Sequence, residues 1–302
     1  MARFVRANGL TFAVREVGPT DGPLALLLHG FPDTWATWRH LAPQVADAGY
    51  RTVSVAMRGY APTQVPADWA TDPTTLTADV NALHRALGGG PRAVVIGHDW
   101  GAIAAARAAA AAPDRWRRVV TMAVPPEQQL AAAVTDLAQV RRSRYLLRAQ
   151  MPGLERRLAD PELGYIRGLW ARWSPGYEPQ TADLEPLAAT FTSPGVPRAV
   201  LSYYRGFGRA ALRRDALSRR IGLPPQPHLV LHGQDDGCLG AGYAHATAGS
   251  LPHPASRVVV VDGVGHFLHL EAPDRIGDEV VAFLAEDVDR VRRTGAGASG
   301  PA

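Results

Sequence analysis

A mixed α/β architecture on a mostly parallel sheet, interrupted by one helical insertion, is the fold class this sequence predicts. Three observations predict it. Over residues 1–125, short apolar runs alternate with stretches of helical periodicity, the rhythm of βαβ units. From Pro125 to about Gly222 strand signals vanish, and Leu, Arg, Trp and Tyr recur at helical spacing between proline and glycine breaks. The alternation resumes after the Pro-rich run Leu223-Pro224-Pro225-Gln226-Pro227.

Taken in order, Leu10–Val17 and Leu24–His29 read as strands. The second is a near-continuous apolar run of the kind found in a sheet covered on both faces. Thr34–Ala48 reads as a helix, capped by Asp33 or Thr34 and stopped at Gly49. Arg51–Ala56 is a strand and Leu76–Leu87 a helix ended by Gly88-Gly89-Gly90. Ala93–Ile96 is a strand, Ile103–Ala112 a helix stopped at Pro113, and Val119–Ala123 a further strand. His228–His232 and Arg257–Val261 are the last strands, and Ala272–Leu284 contains the last helix. The expected organisation is a core of residues 1–125 and 224–290, a helical cap of 126–223, and a flexible Gly/Ala/Ser-rich tail of 291–302.

Composition narrows the function classes. The chain has 302 residues, 46% hydrophobic and 20% charged, which suits one large α/β domain with an insertion. Its net charge of +4 is spread among interspersed basic and acidic residues. The densest basic cluster, Arg141-Arg142-Ser143-Arg144, reads as a solvated helix face, and no nucleic-acid motif accompanies it. One cysteine, Cys238, allows no intrachain disulfide. No signal-peptide core precedes the first strand. The Ala-rich run Ala102–Ala112 is short and holds Arg107, so no membrane span is expected. A reduced, cytoplasmic protein is the expectation.

The chemistry concentrates in Val94-Val95-Ile96-Gly97-His98-Asp99-Trp100-Gly101-Ala102. This is an apolar run, a sharp small-residue turn and an Ala-rich helix, the layout of a nucleophile elbow. The exposed position of the elbow holds Asp99, where a Ser would serve an esterase. A carboxylate nucleophile forms an alkyl ester by attacking carbon in an epoxide or a carbon–halogen bond. Two further turns complete a catalytic order of nucleophile, acid and histidine. Leu229-Val230-Leu231-His232-Gly233-Gln234-Asp235-Asp236 ends a strand in acidic residues, and Gly263-Val264-Gly265-His266-Phe267 presents His266. Each lies just past the carboxyl end of a predicted strand, where open parallel sheets place their sites. His29-Gly30-Phe31-Pro32 follows a buried strand, and the amides of Phe31 and Trp100 are the expected oxyanion donors. Pro32 has no amide of its own but fixes the backbone after Phe31.

Together, His29-Gly30-Phe31-Pro32, Arg58-Gly59-Tyr60, Gly97-His98-Asp99-Trp100-Gly101, Gly233-x-x-Asp236 and Gly265-His266-Phe267 resemble the epoxide hydrolase branch of the α/β-hydrolase superfamily. The resemblance runs from about Leu10 to Phe283. It implies an α/β-hydrolase fold, a mostly parallel central sheet flanked by helices, with an inserted helical cap. It implies a triad of Asp99, His266 and Asp236, the acid three residues after Gly233, with Asp235 as the alternative. It also implies two cap tyrosines that hold and protonate the epoxide oxygen. Tyr145, before Gln150-Met151-Pro152-Gly153, and Tyr204, in Ser202-Tyr203-Tyr204-Arg205, match those positions, with Tyr165, Tyr177 and Tyr203 as rivals.

The expected partners are a small apolar epoxide and water, with no cofactor, metal, nucleic acid or membrane, and homodimerisation left open. Two other readings stand. A haloalkane or haloacid dehalogenase would use the same Asp nucleophile, though Phe31 replaces the usual halide-binding Asn and Ile103 a carboxylate-binding Arg. A non-catalytic binding protein on a hydrolase scaffold would usually have damaged the triad. The chain departs from the family pattern in Arg58-Gly59-Tyr60-Ala61-Pro62-Thr63 and in Asp236-Gly237-Cys238-Leu239-Gly240, which lacks the usual Pro after the acid. The cap aromatics Trp170, Trp173, Tyr177, Phe191 and Phe207 point to an apolar pocket.

Overall fold

The computed structural model describes residues 2–128, 133, 135–211 and 222–286; the expected tail of 291–302 and the Phe207 side chain lie outside what is described. Its single sheet has eight strands: β1 (Arg3–Ala7), β2 (Leu10–Val17), β3 (Leu24–Leu28), β4 (Arg51–Val55), β5 (Val94–His98), β6 (Arg118–Met122), β7 (His228–Gly233) and β8 (Arg257–Val261). Their order is β1-β2-β4-β3-β5-β6-β7-β8. All pairs from β4 onward in that order are parallel; β2 runs antiparallel to both β1 and β4. Residues 94–98 and 118–122, like Leu24–Leu28, are buried along their whole length. Runs such as Leu24-Ala25-Leu26-Leu27-Leu28 have no polar face because helices cover both sides of the sheet.

Sequence and structure differ at three elements. Strand β1 was not expected. Its alternation is weak, with Phe4 outward and Val5 and Ala7 inward, and it forms through a two-residue hairpin whose Asn8 and Gly9 both have positive φ (43° and 78°). The expected helix Thr34–Ala48 is split into a 3-10 turn at Trp35–Arg39 and α1 (Leu41–Asp47). Pro43 explains the break: a proline fits an α-helix only in its first turn, so the regular helix starts at Leu41. Helix α2 (Pro73–Ala86) begins earlier than Leu76 because Asp72 accepts from the amides of Thr74 and Thr75, and Pro73 sits at the first helical position.

Helix α3 (Trp100–Ala111) leaves β5 with only Asp99 between them. Between β6 and β7 every element among the described residues is helical: α4 (Leu137–Arg142), α5 (Arg144–Gln150), α6 (Leu154–Leu158), α7 (Gly164–Trp173), α8 (Thr181–Phe191) and α9 (Val196–Ala211). Their inner faces, including Ile166, Leu169, Trp173, Phe191 and Val200, join one apolar cluster with Phe31 and Trp100 at the top of the sheet. That shared core seats the helical segment over the carboxyl ends of β3 and β5. The second face of the sheet is closed by α1 and the last helix, Pro273–Ala285. No helix among the described residues is long and apolar enough to cross a membrane.

Candidate active site

Asp99 stands in the sharp turn between β5 and α3, with φ 53° and ψ −118°. A non-glycine residue in that region stores about 1–3 kcal/mol of strain, which the surrounding packing must hold. The neighbouring glycines show how tight the packing is. A Cβ on Gly97 would lie 2.1 Å from the Gly101 carbonyl oxygen, and one on Gly101 would lie 2.0 Å from that of Leu28. Small residues flank Asp99 because β5, α3 and β3 touch through bare backbone there. The turn is pinned by the Asp99 amide, which donates to the Met122 carbonyl at 3.1 Å.

The loop after β3 meets the same carboxyl. The Phe31 amide donates to Asp99 Oδ1 at 2.7 Å. His29 orients this loop: its Nε2 accepts from the Met57 amide at 3.1 Å, so its Nδ1 carries the proton and donates to the Gly30 carbonyl at 3.0 Å. Burial lowers the His29 pKa to about 4, so the ring stays neutral. The Phe31–Pro32 peptide is cis, and the Pro32 carbonyl accepts from the Trp170 indole at 2.9 Å. Trp100 heads α3, with its ring 5.2 Å from that of Tyr203 and 5.4 Å from that of Tyr204.

His266 follows β8, and its Nδ1 donates to Asp236 Oδ2 at 2.9 Å. Asp236 Oδ1 in turn accepts from the amides of Cys238 (2.7 Å) and Leu239 (2.9 Å). Asp235, the alternative acid, is exposed. Burial alone would raise the Asp236 carboxyl, but the His266 charge and hydrogen bond outweigh it and hold it below the usual range. The same burial would lower His266, yet Asp236 and then Asp99 push it up to about 10. Its other nitrogen, Nε2, faces Asp99 Oδ2 at 3.7 Å, beyond hydrogen-bond reach, and has no hydrogen-bond partner. The His266 amide donates to the Trp173 carbonyl, and its own carbonyl accepts from His98 Nε2 at 2.9 Å.

The two expected tyrosines pack against each other beside this site. The Tyr145 and Tyr204 rings meet edge to face at 5.7 Å, and Tyr204 packs against Phe31 at 5.3 Å. Burial raises both phenols well above 10, so they hold their protons. The Tyr204 hydroxyl is buried without a hydrogen-bond partner. The rivals are committed elsewhere: Tyr203 donates to the Arg58 carbonyl at 2.8 Å, Tyr177 to Asp183 at 2.7 Å, and Tyr165 lies under Arg157.

Two groups of side chains among the described residues converge closely enough to consider an ion: Asp236–Cys238–His266 and Asp33–His98–His269, each with its atoms within 4.8 Å of one another. The first is the His266–Asp236 pair with Cys238 beside it. In the second, burial raises Asp33 to about 7, which disfavours the anionic form that an ion would need. Three contacts were not read from the sequence. The Cys238 thiol touches the Tyr145 hydroxyl, Trp173 lies 5.0 Å from the His266 ring, and Gln139 bonds the acid loop. The missing Pro after Asp236 was the only sign of the first.

Residues 23–273 match the family model for the alpha/beta hydrolase fold. The chain is 31% identical to epoxide hydrolase A of Mycobacterium tuberculosis, over 93% of this chain and 96% of that protein. It is 28% identical to the AB hydrolase superfamily protein YfhM of Bacillus subtilis, over 93% and 97%. Among solved structures, epoxide hydrolase A of Mycobacterium thermoresistibile superposes with a TM-score of 0.76 at 28% identity, over 94% of this chain and 98% of that one. The chain belongs to the epoxide hydrolase branch of the α/β-hydrolase superfamily.

Proposed function

We propose that this protein hydrolyses a small apolar epoxide to a vicinal diol through a covalent ester on Asp99. The observation that carries the reading is the division of labour between the two Asp99 oxygens. Oδ1 is held by the Phe31 amide, while Oδ2 faces His266 Nε2 at 3.7 Å. Oδ2 is therefore the oxygen free to attack an epoxide carbon, and Oδ1 becomes the ester carbonyl, already seated on an amide donor.

In the first step the Asp99 carboxylate forms a C–O bond as the strained ring C–O bond breaks. The leaving alkoxide is a strong base and needs an acid beside it. The Tyr145 and Tyr204 phenols, held protonated by burial, supply hydrogen bonds that strengthen as charge develops and then a proton. The helices between β6 and β7 serve in this reading as the cap that brings those phenols over Asp99.

In the second step His266 takes a proton from water, and the resulting hydroxide adds to the ester carbonyl carbon. The oxyanion forms on Oδ1 against the amides of Phe31 and Trp100, each such donor being worth about 3–4 kcal/mol of barrier. Asp236 fixes the His266 tautomer through Nδ1 and supports the imidazolium. Collapse breaks the acyl C–O bond, releases the diol and restores the Asp99 carboxylate. The proton taken by His266 makes good the one the tyrosine gave up, so epoxide plus water gives diol with no net proton change.

Intact-protein mass spectrometry tests this. With styrene oxide, cyclohexene oxide and a fatty epoxide as probes, Asp99→Ala should lose turnover. His266→Gln should accumulate an adduct of the epoxide's mass. If His266→Gln carries no adduct with any epoxide that the wild type hydrolyses, the two-step scheme is wrong. Halide release from haloalkanes or haloacetates, without diol formation, would replace it with dehalogenation.

A further inference from the structure

We propose that Cys238 is a positioning residue for ring opening: its thiol orients the Tyr145 hydroxyl so that the phenolic proton is held out for the substrate oxygen. This inference rests on the proposed role of Tyr145 and deepens it. The Cys238 thiol donates to the Tyr145 oxygen at 3.6 Å, an ordinary length for a sulfur hydrogen bond. A phenol oxygen that already accepts a proton on one side has its own O–H turned to another direction. The other polar atoms of the cavity differ in this respect. The Tyr204 hydroxyl and His266 Nε2 are buried, and no protein hydrogen bond of ordinary geometry orients them.

The thiol is itself held in place. The Cys238 amide donates to Asp236 Oδ1, and the Cys238 carbonyl accepts from Gln139 Nε2 at 2.8 Å. The Gln139 Oε1 atom also accepts from the Gly240 amide at 3.1 Å, so α4 is joined to the acid loop at two points directly after the thiol. One short loop thus sets the triad acid through its backbone and the ring-opening acid through a side chain. The thiol is 5% exposed, and burial keeps it in the S–H form needed to donate. The sequence Asp236-Gly237-Cys238 has no proline to block this arrangement, because the backbone amide of residue 238 is needed by Asp236.

The test separates alkylation from ester hydrolysis in single-turnover experiments on the whole chain, with styrene oxide as probe. Cys238→Val removes the donor and keeps the site filled and apolar; it should slow alkylation about threefold to tenfold, the range of one ordinary hydrogen bond. The rate of ester hydrolysis should stay within twofold of wild type by the same argument, since the valine amide still bonds Asp236. Cys238→Ser, which retains a donor, should recover most of the alkylation rate. In a Tyr145→Phe background, Cys238→Val should have no further effect. Unchanged alkylation in Cys238→Val overturns the proposal, as does an equal loss in the Tyr145→Phe background, which would mark a packing effect. If Tyr145→Phe itself alkylates at the wild-type rate, the role of Tyr145 fails and this proposal with it. A loss confined to Cys238→Val in the Tyr145 background supports both.

Discussion

Removing the Tyr204 hydroxyl should make the protein more stable and a worse enzyme. The hydroxyl is buried, 5% of the residue being exposed, and with the Trp100 side chain beside it makes no hydrogen bond of ordinary geometry. A buried polar group left unsatisfied costs about 1–3 kcal/mol, and Tyr204→Phe removes it while keeping the ring that packs on Phe31, Trp100 and Tyr145. For a chain of this size each kcal/mol is worth about 2–4 °C, so a thermal melt should rise by roughly 2 °C or more. In the proposed scheme the same hydroxyl is one of two that meet the developing alkoxide. A hydrogen bond to a charged group is worth about 1.5–3 kcal/mol, so alkylation should slow by roughly tenfold to a hundredfold. Calorimetry and single-turnover ester formation measure the two effects on one sample. A variant that melts lower than wild type would show that the hydroxyl has a structural partner. A variant that alkylates at the wild-type rate would remove Tyr204 from the chemistry.

Other perturbations follow from particular contacts. A Cβ on Gly30 would stand 2.3 Å from Asp99 Oδ1 and 2.4 Å from Asp99 Cβ. Gly30→Ala should therefore displace the nucleophile by about 1 Å and slow alkylation about a hundredfold, with wild-type-like alkylation refuting the packing argument. Arg58 donates to both oxygens of Asp79 at 2.6 and 2.7 Å, and both side chains are buried. Asp79→Ala leaves that guanidinium unpaired and should cost about 3–5 kcal/mol in urea unfolding; a cost below about 1 kcal/mol would mean solvent reaches Arg58. His266 has its pKa raised from 6.5 to about 10, so its charged form stabilises the fold fully below pH 6.5 and loses that contribution as pH climbs through 10. The stability gap between wild type and His266→Gln should close over that window, and a gap that widens with pH would contradict the ion-pair assignment.

The sequence made the sheet and the triad legible for one reason. Asp99, Asp236 and His266 each follow a strand marked by a continuous apolar run, and a parallel sheet brings the carboxyl ends of its strands to one edge. Periodicity and chain order therefore carried most of the geometry. What stayed hidden was either weakly patterned or long-range. Strand β1 alternates poorly because it lies at the edge of the sheet and needs little apolar surface. The break at His40 depended on a single proline inside a helical pattern. The choice among the tyrosines could be made only from their partners: Tyr203 is spent on the Arg58 carbonyl, while its neighbour Tyr204 is not spent at all. Cys238 meets Tyr145 only because α5 and the loop after β7 fold onto the same cavity, which no local pattern encodes.

The distribution of charge among the buried histidines ties the two proposed steps together. His29 and His98 are pushed down by burial to about 4 and about 3, and His269 is held well below its ordinary value by the same cause. At neutral pH the surroundings of the triad thus contain several neutral imidazoles and one charged one. His266 keeps its proton because it lies between two carboxylates, Asp236 at 2.9 Å and Asp99 at 3.7 Å. That state suits the resting enzyme of the proposed scheme, since an imidazolium beside Asp99 takes no proton from water before there is an ester to hydrolyse. It does not suit ester hydrolysis, which needs a base. Alkylation makes the change by itself: an ester on Asp99 carries no charge, so His266 loses one of its two counter-ions in a low-dielectric site where each counts heavily. Its proton affinity falls when the intermediate forms, and the proton it gives up replaces the one the tyrosine gave to the alkoxide. His266 then takes the proton drawn from water as an imidazolium paired with Asp236. The nucleophile thus sets the protonation state of the base, and the base becomes competent only once there is an ester to hydrolyse.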